Sequence, residues 1–422
     1  MHLYDIPLIF ALIGLVFYAV LGGADFGAGF WQLTAGKGPH AQAIRDHAHH
    51  AIAPVWEANH VWLVFVLTVT WTAYPTAFGS IASTLAVPLF IAGLGIIFRG
   101  ATYALRAGTT QRREQRVVDT VFSLSSILAP FALGTVVGAI AARRVPVGNA
   151  AGDQFSSWTN ATAIMIGVLA VATAAYLGAV FLCADAVRAG ERELEAEFRT
   201  RAFVAAFVAG AVALATLPVV HSQAHPLFHG LVHGKGLAAL IVSVVAGLVT
   251  FVLLWQRRYE AARYGSSVAV AAVIAGWAFA QSPVILPGLT IKDAAASHDT
   301  LVAIIVATVA GGAILLPSLA LLFRLVLGGR LGEGELPRVP PAPKELLAVS
   351  ATGLGARLAG VALVAGLVFL TILDAGWAHA IGATCLLAFV ALAYPLALAR
   401  GVLEEGALSG KASEPVGHEK SR

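Results

Sequence analysis

Apolar runs of 18 or more residues recur from one end of this 422-residue chain to the other. Runs of that length match the thickness of bilayer hydrocarbon, because an α-helix rises about 1.5 Å per residue. Charge is correspondingly scarce: charged residues make up 12% of the chain, whereas a soluble domain carries about a quarter. The sequence therefore predicts an all-α polytopic membrane protein.

The apolar runs divide into a nine-span core and a C-terminal hairpin of two further spans. The core spans are predicted at about 6–34, 53–73, 77–105, 118–141, 160–187, 201–221, 235–256, 265–282 and 299–323, and those of the hairpin at about 355–373 and 376–399. The first run is too long for a cleavable signal peptide and lacks a basic segment before it, so it is expected to remain in the membrane.

The basic residues predict how these helices are oriented. If the N-terminus lies outside, most of the 27 Lys and Arg residues fall in inner loops. The outer loops then hold only Arg143, Arg144, Lys235 and Lys292. This asymmetry satisfies the positive-inside rule, and the predicted topology is N-out and C-in.

A stretch rich in proline and charge, EGELPRVPPAPKE at 333–345, marks an internal boundary. Its composition is typical of a semi-rigid exposed linker. The predicted organisation is a membrane core at 1–327, a cytoplasmic Pro-rich linker at 328–354, an additional transmembrane hairpin at 355–400 and a polar cytoplasmic tail at 401–422.

Four ionisable residues stand inside or at the ends of predicted spans: Asp25, Glu57, Arg99 and Asp119. The predicted topology places all four in the cytoplasmic leaflet. Because isolated charges at such depth are costly, they should pair with one another or line a wet cavity. A structural ion pair is the favoured interpretation of Asp25 and Arg99, and the small residues of GGADFGAG around Asp25 favour close helix packing.

Glu57 lies in the stretch PVWEANHVWL, at the start of the second span. Asn59 and His60 stand beside it and offer groups that can relay a proton. A functional role is therefore the favoured interpretation of Glu57.

The histidines and cysteines bear on cofactor binding. No predicted span carries a pair of mid-membrane histidines on one face, and a CxxCH motif is absent, so haem ligation by this chain is not expected. The histidines of one inner and one outer loop are interpreted as solvated side chains and not as metal ligands. The outer four repeat at every fourth position, a spacing that could bind a metal if the stretch were one helix. These residues are His47, His49 and His50 in the inner loop and His221, His225, His229 and His233 in the outer loop.

Four segments together resemble subunit II of the cytochrome bd quinol oxidases. They are GGADFGAG, APVWEANHVWL, FRGATYALR and GWAFAQSPVILPGLTIKDAAASHDTL, in the family's order and spacing. The resemblance covers about residues 1–327 and stops at the proline linker.

The resemblance implies a heterodimer with a subunit I of similar fold, which carries the quinol site, two b-type haems and one d-type haem. This chain would ligate no haem; it would support the haems across the interface and help deliver cytoplasmic protons for reduction of O2 to water, contributing to the proton motive force. The expected location is the bacterial cytoplasmic membrane, and no nucleic-acid partner is expected. Some members hold a quinone as a structural lipid or carry a small accessory subunit, and the sequence leaves both open.

The resemblance also assigns roles to residues. Glu57, after Trp56 and before Asn59 and His60, matches the family's acidic residue on the proton route, a place often filled by aspartate. Asp25, Arg99 and Asp119 match positions linked to haem-site integrity at the subunit interface.

Two other classes of function compete with this interpretation. In a secondary transporter, intramembrane acids would couple ions to a substrate. Against it, the sequence has no inverted pair of Gly/Pro-broken spans near the midplane, and the carboxylates lie near one leaflet. In a scaffold subunit, the same residues would serve packing alone.

The orientation can be tested with a reporter that is active only in the cytoplasm. Fusions after Arg116, Arg192 or Arg330 should give signal, and fusions after Gly148 or Gly230 should give none, because the basic loops stay inside. The reverse pattern would contradict the assignment of all four ionisable residues to the cytoplasmic leaflet.

Overall fold

The computed structural model describes residues 2–52, 56–106, 112–327 and 354–371, with several positions between 378 and 392. The side chains of 50–58, 103–104, 106–116 and 322–327 lie outside that description, as do a few others. The chain divides into two compact units, Met1–Ala320 and Leu321–Arg422, and each is considered by itself.

The first unit is a helical bundle with one small hairpin. Its helices are α1 (Ile6–Phe17), α2 (Gly23–Leu33), α3 (Pro39–Ile52), α4 (Trp56–Ala73), α5 (Pro75–Thr84), α6 (Ala86–Arg106), α7 (Arg112–Ala141), α8 (Ala161–Ala189), α9 (Arg192–Gln223), α10 (His225–Val232), α11 (Leu237–Trp255), α12 (Tyr259–Gln281), α13 (Ile291–Ala294) and α14 (His298–Leu327), which continues into the second unit. A π-helical turn, Tyr18–Gly22, joins α1 to α2. Strands β1 (Val284–Leu286) and β2 (Leu289–Thr290) pair antiparallel.

The bundle has the helices of a polytopic membrane protein. Among the described residues, seven helices are long and apolar enough to cross a membrane, or eight if the bent pair α5–α6 counts as one span. They coincide with eight of the nine predicted core spans. The described apolar part of α4, Asn59–Ala73, is shorter than the others. The all-α polytopic class is thus supported, while the count of nine spans and the orientation stay predictions.

The third predicted span, 77–105, is not one straight helix as expected. It is divided at Leu85, and the axes of α5 and α6 differ in direction by 82°. Pro88 explains the position of the break. Its ring has no N–H to donate and clashes with the carbonyl four residues earlier, so a helix running on from Thr84 is disfavoured.

The segment before α4 is also more ordered than predicted. Residues 39–52 form the amphipathic helix α3, whose buried positions Ala41, Ile44 and Ala48 follow helical spacing. The prediction that His47 is solvated was therefore wrong, because its side chain is only 7% exposed. Its imidazole lies 3.1 Å from the Glu191 carboxylate and 3.0 Å from the carbonyl of Leu182.

Helix α8 is the central element against which α2, α7 and α9 pack. The closest approach is between α2 and α8, where Gly27 and Gly178 face each other. A Cβ added at Gly178 would lie 2.5 Å from the carbonyl carbon of Gly27, and one added at Gly27 would overlap the backbone of Ala174. The small residues of GGADFGAG therefore do permit the close packing that the sequence predicts.

One end of the bundle is closed by the segment that follows α12. The Tyr74 hydroxyl donates a hydrogen bond to the carbonyl of Tyr4 at 2.5 Å. The Ala296 amide donates to the carbonyl of Ala73 at 2.8 Å. The first bond ties the residue after α4 to the N-terminal turn before α1, and the second holds the end of α4 beside the segment that leads into α14.

In the second unit the described helix is α15 (Leu354–Thr371). A Cβ added at Gly366 would lie 2.7 Å from the side chain of Leu386, so the two predicted hairpin segments contact each other. Residues 328–353 and 401–422 lie outside the described residues, and the bounds of the four predicted segments stay predictions.

The Gly27–Gly178 contact predicts a stability difference between two glycine substitutions. Gly27→Val should lower stability by about 1–3 kcal/mol, because the added atoms overpack the α2–α8 contact. In the control Gly247→Ala, no described atom lies within 4 Å of the added Cβ, and the helix gains up to about 1 kcal/mol of propensity. Thermal unfolding midpoints in detergent compare the two, and equal midpoints would contradict the close contact.

Candidate functional site

A buried ion pair joins α2 to α6. The Nη2 atom of Arg99 lies 2.5 Å from Oδ1 of Asp25, and the two side chains are 1% and 2% exposed. The same Nη2 donates to the Asp25 carbonyl at 2.9 Å. Nη1 of Arg99 donates to the Ser126 hydroxyl of α7, which in turn donates to the carbonyl of Phe122 at 2.7 Å. The favoured interpretation of Asp25 and Arg99 as an ion pair agrees with this geometry.

Aromatic rings enclose the guanidinium of Arg99. Its Cζ lies 4.2 Å from the centroid of the Phe122 ring and 5.3 Å from that of Phe26. Both distances suit cation–π attraction, which is strongest where water is excluded. The charge is thus stabilised by a carboxylate, a carbonyl, a hydroxyl and two ring faces.

Gly29 makes room for this arrangement. A Cβ at that position would overlap the Ser126 side chain and lie 3.0 Å from Nη1 of Arg99. Any larger residue would therefore separate α2 from α7 or displace the guanidinium. The glycine at this position of GGADFGAG serves the site as well as helix packing.

Helix α4 brings two further predicted residues to the same cluster. Asn59 is 3% exposed, and its Nδ2 donates to the carbonyl of Leu21 at 3.4 Å. Leu21 belongs to the π-helical turn, where the regular backbone ladder is interrupted. The side chain of Asn59 thus ties α4 to the turn that precedes Asp25.

His60 lies between this turn and α2. Its ring centroid is 5.9 Å from that of Tyr18 and 6.1 Å from that of Phe26. It is close enough to interact electrostatically with both Asp25 and Arg99. The sequence treats the Asp25–Arg99 pair and the group around Glu57 separately, whereas the structure places His60, one member of that group, beside the pair.

The remaining predicted residues lie nearby along the chain. Glu57 and Trp56 are in the first turn of α4, one turn before His60, and their side chains lie outside the described residues. Asp119 is half-buried on α7, seven residues before Ser126. The structure therefore brings Asp25, Arg99, Asn59 and His60 into one cluster and leaves Asp119 about two turns along α7 from it.

Sequence reasoning missed several residues of this cluster. Ser126 carries no charge, and Tyr18, Phe26 and Phe122 resemble ordinary apolar positions of a span. One signal was available for Ser126, because it stands seven residues after Asp119 and so shares its helix face.

Three of the four outer histidines lie on helices, although the sequence places all four in an outer loop. His221 is in α9 and His225 and His229 are in α10, and the rings of the pairs His221–His225 and His229–His233 are each 5.3 Å apart. Among the described residues, no three or more His, Cys, Asp or Glu side chains are grouped so that they could hold a metal ion.

Comparison with known proteins identifies the family. The model for cytochrome bd terminal oxidase subunit II matches residues 3–326. A cytochrome bd ubiquinol oxidase subunit 2 of Bacillus subtilis (strain 168) is 28% identical over 134 residues, which are 32% of this chain and 39% of that relative. The cytochrome bd-I ubiquinol oxidase subunit 2 of Escherichia coli (strain K12) is 24% identical over 124 residues, 29% of this chain and 32% of the relative.

The aligned segments thus span less than two fifths of the length of either relative. The fold match is broader. A chain in the structure of the bd oxidase from Geobacillus thermodenitrificans superposes with a TM-score of 0.65 at 25% sequence identity, covering 78% of this chain and 99% of that chain. With its apolar helices and its family match over most of its length, this chain belongs to the cytochrome bd terminal oxidase subunit II family of multi-pass membrane proteins.

Proposed function

We propose that this chain is subunit II of a membrane quinol:oxygen oxidoreductase of the cytochrome bd type. It is catalytic only as a complex with subunit I, in the bacterial cytoplasmic membrane with the N-terminus outside. The haem b and haem d groups of subunit I supply electron transfer and oxygen reduction. This chain supports that site and helps to deliver cytoplasmic protons to it. The observation that carries the proposal is the buried cluster Asp25, Arg99, Asn59 and His60, in a chain of this family.

The proton route is proposed to enter at Glu57. Reduction of O2 to water consumes protons, and taking them from the cytoplasm contributes to the proton motive force. Glu57 supplies a titratable carboxyl that Trp56 helps to orient, and Asn59 and His60 follow it along α4 toward the buried pair. Because His60 interacts electrostatically with Asp25 and Arg99, a proton moving along α4 changes the field at that pair.

The Asp25–Arg99 pair is proposed to maintain the structure on which haem binding by subunit I depends. It connects α2 to α6, and Ser126 extends the connection to α7. Asp119, on the same helix as Ser126, is proposed to act with it at the cytoplasmic end. Haem ligation by His60 itself does not fit, because the Tyr18 and Phe26 rings already flank the imidazole.

Subunit I is proposed to dock on the face formed by α4, α6 and the start of α14. Large apolar side chains on this face are more than 60% exposed: Val64, Trp71, Phe90, Ile97 and Val306. Of the first 18 residues of α14, only 6% are buried within this chain. Since α4 and α6 carry Asn59, His60 and Arg99, docking here brings the polar cluster close to the partner's haems.

A secondary transporter, the competing function, is not favoured. The family match covers residues 3–326, which include every residue of the cluster. The four predicted residues that the structure brings together include an ion pair with both side chains at most 2% exposed, so they form a closed site with little access for a solute.

Glu57→Gln tests the proton route. The change keeps the shape and removes the titratable group, so quinol oxidase turnover should fall by at least about tenfold, with haem content unchanged. The matched control is Glu193→Gln, at an exposed glutamate of α9. Haem spectra and oxygen consumption of the purified complex provide the measurement. If haem content fell in parallel with turnover, Glu57 would have a structural role and the proposed proton route would be wrong.

Asp25→Leu and Arg99→Leu test the role of the pair. Each single substitution leaves one buried charge without its partner, which typically costs about 3–5 kcal/mol, so haem content and complex assembly should fall. The double substitution removes both charges and should recover part of the assembly. Full haem content with slow turnover in the single variants would contradict the structural role and would assign the pair to the proton route instead.

A further inference from the structure

Among the side chains that the structure describes, Gln32 is the least satisfied polar group outside the cluster of Asp25, Arg99, Asn59 and His60. It lies near the end of α2 and is 2% exposed. Within the described part of the chain, neither its amide oxygen nor its amide nitrogen has a hydrogen-bond partner. Buried side-chain amides almost always make such bonds to protein or to ordered water. An amide that is buried and lacks protein partners on both atoms indicates a bound water.

The position of Gln32 on α2 shows which neighbour it faces. Asp25, Gly29 and Gln32 are spaced by four and three residues, so they share one face of the helix. Gly29 packs directly against Ser126 of α7. The next face of α2 is occupied separately, because Trp31 donates from Nε1 to the Ala175 carbonyl of α8 at 2.8 Å. Gln32 therefore belongs to the seam between α2 and α7.

The facing side of α7 is polar along the same length. Asp119, Ser123 and Ser126 also share one helix face. Ser123 and Ser126 are 2% and 1% exposed, and Asp119 is half-buried. Helices α2 and α7 run antiparallel in the predicted topology. With Ser126 opposite Gly29, Gln32 is level with Ser123 and lies between Asp119 and the ion pair.

We propose that Gln32 anchors a buried water site in the α2–α7 seam, and that this site forms a second cytoplasmic proton entry, leading from Asp119 toward the cluster around the Asp25–Arg99 pair. The amide both donates and accepts, and the serine hydroxyls of α7 supply further partners, so a water here reaches the two to four hydrogen bonds that it needs. The water accepts one proton from the Asp119 side and releases one on the side of the cluster, while Asp25 and Arg99 keep the structural role proposed above. The water site stands on the geometry alone, and its role in proton entry rests on the proposed function.

Radiolytic footprinting of the intact two-subunit complex in 18O-labelled water tests the site independently of activity. Ordered water beside Gln32 should label Phe122 or Trp31, the aromatic residues that are next in sequence to Ser123 and Gln32. Gln32→Leu removes both hydrogen-bonding atoms at similar volume and should lower that labelling several-fold. Ser123→Ala removes the facing hydroxyl and should also lower it. Gln42→Leu, at an exposed glutamine of α3, is the control and should change nothing.

Proton uptake and thermal unfolding of the same variants complete the test. Gln32→Leu should slow proton uptake several-fold at normal haem content, while Glu57→Gln should leave the labelling intact. Unchanged labelling together with a higher unfolding midpoint in Gln32→Leu would overturn the water site. That result would mean that the amide is buried without any partner, water included, so that an apolar side chain in its place stabilises the folded protein. Lost labelling with unchanged proton uptake would overturn the entry route. If Glu57→Gln alone lacks effect, the Glu57 route fails and the Gln32 site is unaffected.

Discussion

The guanidinium of Arg99 must be neutralised inside the helical bundle, and the arrangement around it follows from that requirement. Its side chain is 1% exposed, so water cannot stabilise the charge. The Asp25 carboxylate, the Asp25 carbonyl and the Ser126 hydroxyl instead accept hydrogen bonds from its two terminal nitrogens. These groups belong to α2 and α7, while Arg99 belongs to α6. The three helices must therefore meet at one level of the bundle.

That meeting point constrains both faces of α2. On one face Gly29 allows Ser126 and Arg99 to approach, and on the other Gly27 allows direct backbone contact with Gly178 of α8. A helix fixed on two sides has little freedom to rotate. The π-helical turn before it adjusts the register between α1 and α2, and Asn59 of α4 is bonded to this turn. The helix that carries the proposed proton route is thus held to the same structure as the ion pair.

This connection bears on how the two proposed roles are related. A structural ion pair and a proton route need not be separate sites when His60 lies near both. In a medium of low dielectric constant, charges at such sites influence one another strongly. In the proposed function, a proton moving past His60 changes the electrostatic field at the Asp25–Arg99 pair. The proposed proton route and the proposed structural role of the pair would thus be physically coupled.

The sequence by itself determined the class of fold and the places of most of its long apolar helices, because bilayer thickness imposes a minimum length on every apolar run. It also identified the closely packed face of α2 from the small residues around Asp25, and it paired Asp25 with Arg99 through the cost of isolated charge. Local signals could have revealed two features that were missed: Pro88 marks the break before α6, and Ala41, Ile44 and Ala48 predict the amphipathic α3.

Only the tertiary structure decided the neighbours of the buried groups. Asp25 and Arg99 are 74 residues apart, and helical periodicity reports which face a residue occupies without specifying what packs against it. The rings around His60, the bond from Asn59 to the π-helical turn and the unsatisfied amide of Gln32 all depend on how separate helices meet. That geometry is set by the packing of side chains distant in sequence, and no local pattern contains it.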